Sequence, residues 1–292
     1  GDAGTGKAVA SLPLDHLIFT RSTAVGKQIM QAASENLTPL TLELGGKSPA
    51  LIAEGANLSR AASSIAYGKL LNAGQTCIAP DYVLVPKPLR DRFVAAVREA
   101  VAAQYPNAAS NQDYTSIIND RQFQRLKAYV EEARASDCEV IELGLSEGRR
   151  MPPVLLLDPP DRLKVMQEEI FGPILPVVTY AELTDAIAYV NSRPRPLALY
   201  LFASSERVID RVLKETVAGG VCVNDTLVHI VAENLPFGGA GASGFGAYHG
   251  QAGFDACSRL KPVFRRHGIG LGVSLRPPYG RIHEWMRRIL VR

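Results

Sequence analysis

The sequence predicts an α/β fold in which a largely parallel sheet is covered by helices. Two observations carry that expectation. From Leu14 to Asn224, short apolar runs alternate with stretches whose apolar residues recur three or four positions apart. Strands separated by helices in this way pair in parallel. No internal repeat or low-complexity linker interrupts the alternation. The chain of 292 residues is 47% hydrophobic and 21% charged, enough for one large core or two modest ones.

In order, Leu14–Thr20 reads as a short strand, and Ser22 or Thr23 caps a helix through Ala33, with Val25, Ile29 and Ala33 on one stripe. A strand turning into a helix N-terminus can hold an anion or simply join two elements. Leu40–Leu44 is a second strand that delivers Glu43 to the Gly45-Gly46 turn, and Ser48–Ala53 is a third. A helix follows over Leu58–Leu71, with Ala61 and Ile65, and Ala62, Ala66 and Leu70, at helical spacing. It ends at Asn72-Ala73-Gly74, which suits a C-cap, and Cys77 lies just beyond on a loop.

Further along, Tyr82–Val85 reads as strand and Leu89–Ala103 as helix, with Phe93, Val97 and Val101 four apart. Asn119–Ala133 is a helix with Phe123, Leu126 and Val130 inward. Cys138–Leu143, Val154–Leu157 and Ile174–Thr179 read as strands, and Thr184 caps a helix to Asn191. Leu197–Phe202 is strand, Ser205–Glu215 helix and Gly220–Asn224 strand. The glycine-rich run Leu235–Gly253 is expected to form an irregular loop around a site. The tail sets Arg265, Arg266, Arg276, Arg281, Arg287, Arg288 and Arg292 against one acid, Glu284. Ile282, Trp285, Met286, Ile289 and Leu290 form a short amphipathic stripe there. So short a stripe is expected to pack on its own protein or on a partner subunit rather than on a membrane.

A formal charge of +3 is too small to argue for a nucleic-acid partner, and no basic–aromatic recognition motif occurs. Cys77, Cys138, Cys222 and Cys257 include no CxxC pair, so neither a metal site nor a disulfide framework is expected. That usage fits a reducing compartment. No signal peptide or bilayer-length apolar run is evident in the sequence, and a cytoplasmic protein is the expectation.

Two stretches concentrate the chemistry: Leu42-Glu43-Leu44-Gly45-Gly46-Lys47-Ser48-Pro49 and Asn72-Ala73-Gly74-Gln75-Thr76-Cys77. A cysteine past a glycine turn can be a nucleophile, because the turn exposes sulfur and frees backbone N–H groups. A glutamate before two glycines can act as a base. Taken singly, such a cysteine is more often a small buried hydrophobe and such a glutamate a solvated charge. Together with Glu168-Glu169-Ile170-Phe171-Gly172-Pro173 and Pro236-Phe237-Gly238-Gly239, they resemble the signature set of the aldehyde dehydrogenase family. Order and spacing agree from about Leu14 to the tail. Gly244-Phe245-Gly246-Ala247-Tyr248-His249-Gly250 resembles the class-three branch, which includes coniferyl aldehyde dehydrogenases.

The resemblance implies an aldehyde dehydrogenase-like fold: the end of a Rossmann-type nucleotide-binding domain over 1–44, a parallel-sheet catalytic domain over 45–236, and a glycine-rich active-site loop with a C-terminal arm for oligomerisation over 237–292. In the family a long segment precedes this point, and the chain begins with Gly1 rather than Met. It therefore reads as a C-terminal portion of a larger enzyme, expected as a homodimer. The implied activity is NAD- or NADP-dependent oxidation of an aldehyde, aromatic or medium-chain, to its acid. Hydride leaves readily only from a tetrahedral, oxyanion-bearing carbon, which Cys77 creates as a thiohemiacetal; the thioester that remains is hydrolysed by water activated by Glu43. In the family an asparagine from the preceding segment completes the oxyanion hole.

The same resemblance assigns cofactor contacts to Thr20, Ser22, Leu44 and Gly45, the nicotinamide ribose to Glu169, and the nicotinamide's aromatic neighbour to Phe171. Asn234 and Phe237 are expected at the aldehyde funnel. One position departs from the pattern: Arg21 stands where the family has glycine, adding bulk where the nicotinamide passes and charge that attracts phosphate. Two other readings stay open. One is a thiol hydrolase or esterase built on Cys77 with Glu43, or with His249; the other is a non-catalytic piece with an oligomeric role.

Overall fold

The computed structural model describes residues 3–108, 110–268, 277 and 279–290. Residues Gly1–Cys257 form one compact unit and Ser258–Arg292 another. In the first unit, helix α1 (Ala3–Ala10) precedes strand β1 (Leu17–Arg21), helix α2 (Thr23–Ser34) and strand β2 (Leu40–Leu44). Leu17, Phe19 and Val25 pack on Ala10, Ile29 and Ala32, so this part has a small core of its own. Strand β1 starts at Leu17, three residues later than the sequence pattern suggests. Ser22 does occupy the N-cap of α2, though its hydroxyl makes no capping bond.

The larger sheet follows: β3 (Pro49–Ile52), helix α3 (Leu58–Leu70), β4 (Tyr82–Pro86), helices α4 (Arg90–Gln104) and α5 (Asp120–Arg134), then β5 (Glu139–Glu142) and β6 (Val154–Leu157). A short helix α6 (Lys164–Gln167) leads to β7 (Ile174–Tyr180), α7 (Leu183–Asn191), β8 (Ala198–Phe202), α8 (Glu206–Glu215) and β9 (Gly220–Val223). The strand order is β5-β6-β7-β4-β3-β8-β9, parallel except at β5–β6. The α/β expectation is met. The exception has a simple cause: 143–153 joins β5 to β6 without a helix, and a parallel pair needs a long crossover.

Period-two alternation divides these strands between two cores. Ala50, Ile52, Val83, Val85, Tyr200 and Phe202 pack with residues of α3, α4 and α5. Leu51, Tyr82, Leu84, Leu199 and Leu201 pack with Ala186, Ile187 and Val190 of α7 and Val212 of α8. A sheet covered on both faces explains why its strands are apolar throughout. Helix α7 begins earlier than expected: Glu182, not Thr184, is its N-cap, and the Glu182 N–H donates to the Asp185 carboxylate at 2.9 Å.

The glycine-rich run is more regular than its composition suggests. Strand β10 (Gly244–Phe245) pairs antiparallel with β2, and helix α9 (Gly250–Ala256) begins within the run. The sheet they complete is β1-β2-β10, with β1 and β2 parallel. In the second unit, helix α10 (Arg281–Leu290) carries Ile282, Trp285 and Ile289 exposed. Arg276 and Arg292 of the expected basic tail lie outside the described residues. No described helix is long and apolar enough to cross a membrane.

Candidate active site

Glu43 is carried by β2, with Thr20 opposite it on β1 and Gly244 on β10. Gly244 has φ +122°, and a methyl group on it would run into the Leu42 carbonyl, so only glycine lets this strand close on β2. Glu43 is 2% exposed, and neither carboxylate oxygen has a hydrogen-bond partner among the described residues. Burial pushes its carboxyl up to about 8. Its titration then falls near neutrality, the range that suits a general base.

Cys77 follows α3 through three consecutive left-handed residues, Asn72, Ala73 and Gly74, with φ of 52°, 52° and 75°. The first two are strained, at about 1–2 kcal/mol each. Gln75 supplies the restraint that holds them. Its amide accepts the Ile118 N–H at 2.9 Å and donates to the carbonyls of Ser116 at 3.1 Å and Asn72 at 3.0 Å. The Asn72 amide returns a bond to the Gln75 carbonyl at 3.1 Å.

So held, the loop lays the Cys77 sulfur against the N–H groups of Cys77 itself and Ile78, which favour its thiolate. Burial outweighs them, and with the charges of Glu169 and Glu43 pushes the thiol up to about 11. The resting sulfur is therefore protonated, with two carboxyl groups in reach electrostatically to take the proton.

Glu169 rests on Gly45, where a methyl group would collide with its carboxylate. Burial, then Asp81, push its carboxyl up to about 7, against the Gly46 N–H that donates to it and the charges of Lys47 and Arg125. The backbone around it is tightly held. Lys47 pairs with Asp81 and donates to the carbonyls of Val165 at 2.7 Å and Glu168 at 3.0 Å. Arg125 donates to the Glu169 and Ile170 carbonyls at 3.3 and 2.6 Å, and the Ile170 N–H donates to Asp81 at 3.0 Å. Tyr129 donates to the Glu168 carboxylate at 2.6 Å.

Cys77 thus lies within the fields of both Glu43 and Glu169. Leu44 and Gly45 continue from Glu43, Leu44 packing on Gly26 of α2 and the Gly45 N–H donating to the Arg21 carbonyl at 3.2 Å. Thr20 and Ser22 are exposed at the end of β1. Arg21 between them is exposed and extended in β1, a backbone that needs no glycine. Phe171 is exposed with φ 48°. Asn234 is exposed, whereas Phe237 is buried among aromatic rings: His229 at 5.9 Å, Tyr248 at 5.7 Å and His249 at 5.4 Å. The ring contacts of His249 are with Phe237 and Tyr248, and its Nδ1 has no hydrogen-bond partner among the described residues.

Four residues gained no role from the sequence: Lys47, Gln75, Asp81 and Arg125. Lys47 and Gln75 stand inside the motif words, but a word shows no partner. Tyr248 was missed too; burial and the charges of Glu43 and Cys77 raise its phenol, which places it beside them.

The chain belongs to the aldehyde dehydrogenase family, whose model matches residues 2–263. It is 51% identical over 295 residues to a probable coniferyl aldehyde dehydrogenase of Pseudomonas aeruginosa, covering 100% of this chain and 62% of that relative. Among solved structures, substrate-bound AldH of Staphylococcus aureus matches with TM-score 0.91 and 41% identity, over 99% of this chain and 63% of the other. The indole-3-acetaldehyde dehydrogenase AldA of P. syringae, in complex with NAD+, matches with TM-score 0.81 and 29% identity, over 88% and 53%. The chain therefore spans less than two thirds of the length of these relatives.

Proposed function

We propose that this chain carries the reacting centre of an NAD(P)-dependent aldehyde dehydrogenase, with Cys77 as nucleophile and Glu43 as general base. The observation that supports it most is the Cys77 sulfur seated on two backbone N–H groups within the field of a buried, unpartnered carboxyl. The Cys77 proton passes to a carboxyl group as sulfur attacks the aldehyde carbon. The Cys77 N–H then steadies the developing oxyanion. A bound nicotinamide supplies the hydride acceptor. Glu43 takes a proton from the water that cleaves the Cys77 thioester.

The residues fit such a cofactor. The bare Cα of Gly45 leaves the Glu169 carboxylate room to lie flat on the turn, where it can accept ribose hydroxyls. Thr20, Ser22, Leu44 and Gly45 would line the same edge, with Phe171 beside the ring and Asn234 and Phe237 at the aldehyde's entrance. Residues 1–44 then end a nucleotide-binding domain, 45–236 form the catalytic domain, and 237–292 supply a loop and an arm for a homodimer. The names of the coniferyl aldehyde dehydrogenases among the relatives favour an aromatic aldehyde of the coniferyl kind as substrate.

Acylation by 4-nitrophenyl acetate tests the two residues without cofactor. Glu43→Gln should accumulate an acyl adduct on Cys77 in quenched mass spectra, while Cys77→Ser stays unmodified. Adduct on Cys77→Ser, or none on Glu43→Gln, contradicts the roles. Turnover of an aryl aldehyde in the complete protein must depend on NAD(P); turnover of esters alone would make the centre a thiol hydrolase.

A further inference from the structure

The phenol of Tyr200 lies at the join between the cysteine loop and the aromatic side chains near it. Tyr200 stands on β8, opposite Cys222 on β9, and is fully buried. Period-two alternation turns it into the core that it shares with residues of α3, α4 and α5. Its hydroxyl donates to the carbonyl of Ile78, the residue after Cys77. A phenol has one proton to give, so the Leu227 N–H, which also bonds this oxygen, donates to it. One oxygen therefore ties the cysteine loop to the segment that follows β9.

That segment leads to the aromatic side chains. Leu227 has φ 64°, a left-handed backbone unfavourable for a branched side chain, so it needs a partner to hold it. Two residues on, the His229 ring meets Tyr200 edge to face, with centroids 5.9 Å apart and planes at 64°. His229 in turn lies 5.9 Å from Phe237, which touches Tyr248 and His249. Neither ring nitrogen of His229 has a hydrogen-bond partner among the described residues, so packing holds this ring. On the other side, Ile78 is 1% exposed, which shields its carbonyl from bulk water. The Ala79 N–H donates to the Thr76 carbonyl at 3.0 Å and closes the turn around Cys77, while the Ile78 carbonyl goes to Tyr200.

We propose that Tyr200 is a positioning residue for Cys77: by holding the Ile78 carbonyl, its hydroxyl keeps the Ile78 N–H directed at the sulfur. The proposal rests on the reading of Cys77 as nucleophile, and adds a residue distant in sequence that sets its surroundings. The Ile78 N–H is one of two backbone donors on that sulfur. Carbonyl and N–H belong to one residue, whose backbone has two soft dihedrals, so fixing the first restrains the second. Freed from Tyr200, Ile78 can turn, and the thiolate loses a charge-assisted bond. A ring without the hydroxyl keeps its contact with His229 and loses this link alone.

Alkylation of Cys77 by iodoacetamide reads the thiolate without aldehyde or nicotinamide, with peptide mass spectrometry separating Cys77 from Cys138, Cys222 and Cys257. In Tyr200→Phe the Cys77 rate falls about tenfold at each pH between about 7 and 9, as for one unit of thiol pKa. Cys138 and Cys257 keep their wild-type rates, which separates a local effect from general loosening. With 4-aminophenylalanine at position 200 a donor returns, and most of the Cys77 rate returns with it. An unchanged or faster Cys77 rate in folded Tyr200→Phe overturns the proposal, since a hydroxyl that only supports the core lowers stability and leaves that rate alone. No recovery with 4-aminophenylalanine overturns it too.

If Tyr200→Phe does not fold, 4-fluorophenylalanine at that position fills the space of the hydroxyl without giving a proton. Its Cys77 rate is then compared with that of 4-aminophenylalanine: a rate about tenfold lower supports the proposal, and equal rates overturn it. Iodoacetamide reports on the sulfur whatever its role, so equal rates leave the aldehyde dehydrogenase reading standing. Failure of that reading shows separately, as wild-type Cys77 that 4-nitrophenyl acetate leaves unacylated.

Discussion

Both oxygens of Glu43 are shielded and unpartnered, so the fold favours its neutral form. An unfolded chain releases this proton near 4.5 and the folded one near 8. Between those values the native state binds more protons than the unfolded state, and stability falls as pH rises. Glu43→Gln removes that slope. The variant should gain about 5 kcal/mol on the wild type between about pH 5 and 8 and keep the gain above, as read from urea melts at several pH values. Parallel profiles for the two proteins would show that the carboxyl is not raised. The same titration governs thioester release, which should increase about tenfold per pH unit before levelling off near pH 8.

The element that decides the site is the turn between α3 and Cys77. Its left-handed residues are held by Gln75 bonds to Asn72, Ser116 and the Ile118 N–H. Gln75→Ala should cost about 2 kcal/mol and slow alkylation of Cys77, because the Ile118 N–H and the strained turn lose their partner together. Gly74→Ala should cost more, about 2–4 kcal/mol, since its methyl group meets the Gly172 carbonyl at a positive φ. Urea denaturation with Cys77-specific alkylation separates the two effects. A Gly74→Ala protein of wild-type stability would mean that segment 169–172 yields freely.

At the scale of the molecule, the two sheets of the first unit are unequally supported. The seven-stranded sheet is buried on both faces, whereas β1-β2-β10 has one small core, and among the described residues its outer strand β1 pairs only with β2. Val9, Leu12, Ile18, Met30 and Leu37 are exposed around that part. Amides of 17–44 should therefore exchange faster than those of β3, β4 and β8, by two orders of magnitude or about 3 kcal/mol in opening free energy. Hydrogen exchange read by mass spectrometry checks this. Equal protection in both sheets would mean that the small sheet opens only with global unfolding. On the proposed reading, weak dinucleotide binding by this chain is expected from the same imbalance, because Thr20 and Leu44 stand on the less supported sheet and Ser22 caps the helix that follows β1.

By itself the sequence determined the α/β class, the succession of buried strands along the chain and the words around Cys77, Glu43 and Glu169; their order in the sheet came from the tertiary structure. Strands apolar on both faces and helices with one apolar stripe are local signals, carried by neighbours within a few residues. Tertiary structure decided what depends on distant partners. Glu182 rather than Thr184 caps α7 because Asp185 turns back to its N–H, and β5 runs antiparallel because the connection to β6 is too short to cross over. Strand β10 emerges from a glycine-rich run only because the bare Gly244 fits against β2. The charges of the site were the least legible of all. Asp81 meets Lys47, the Lys69 Nζ has no hydrogen-bonding partner among the described residues, and Glu43 loses water, each through burial that no short stretch of sequence encodes.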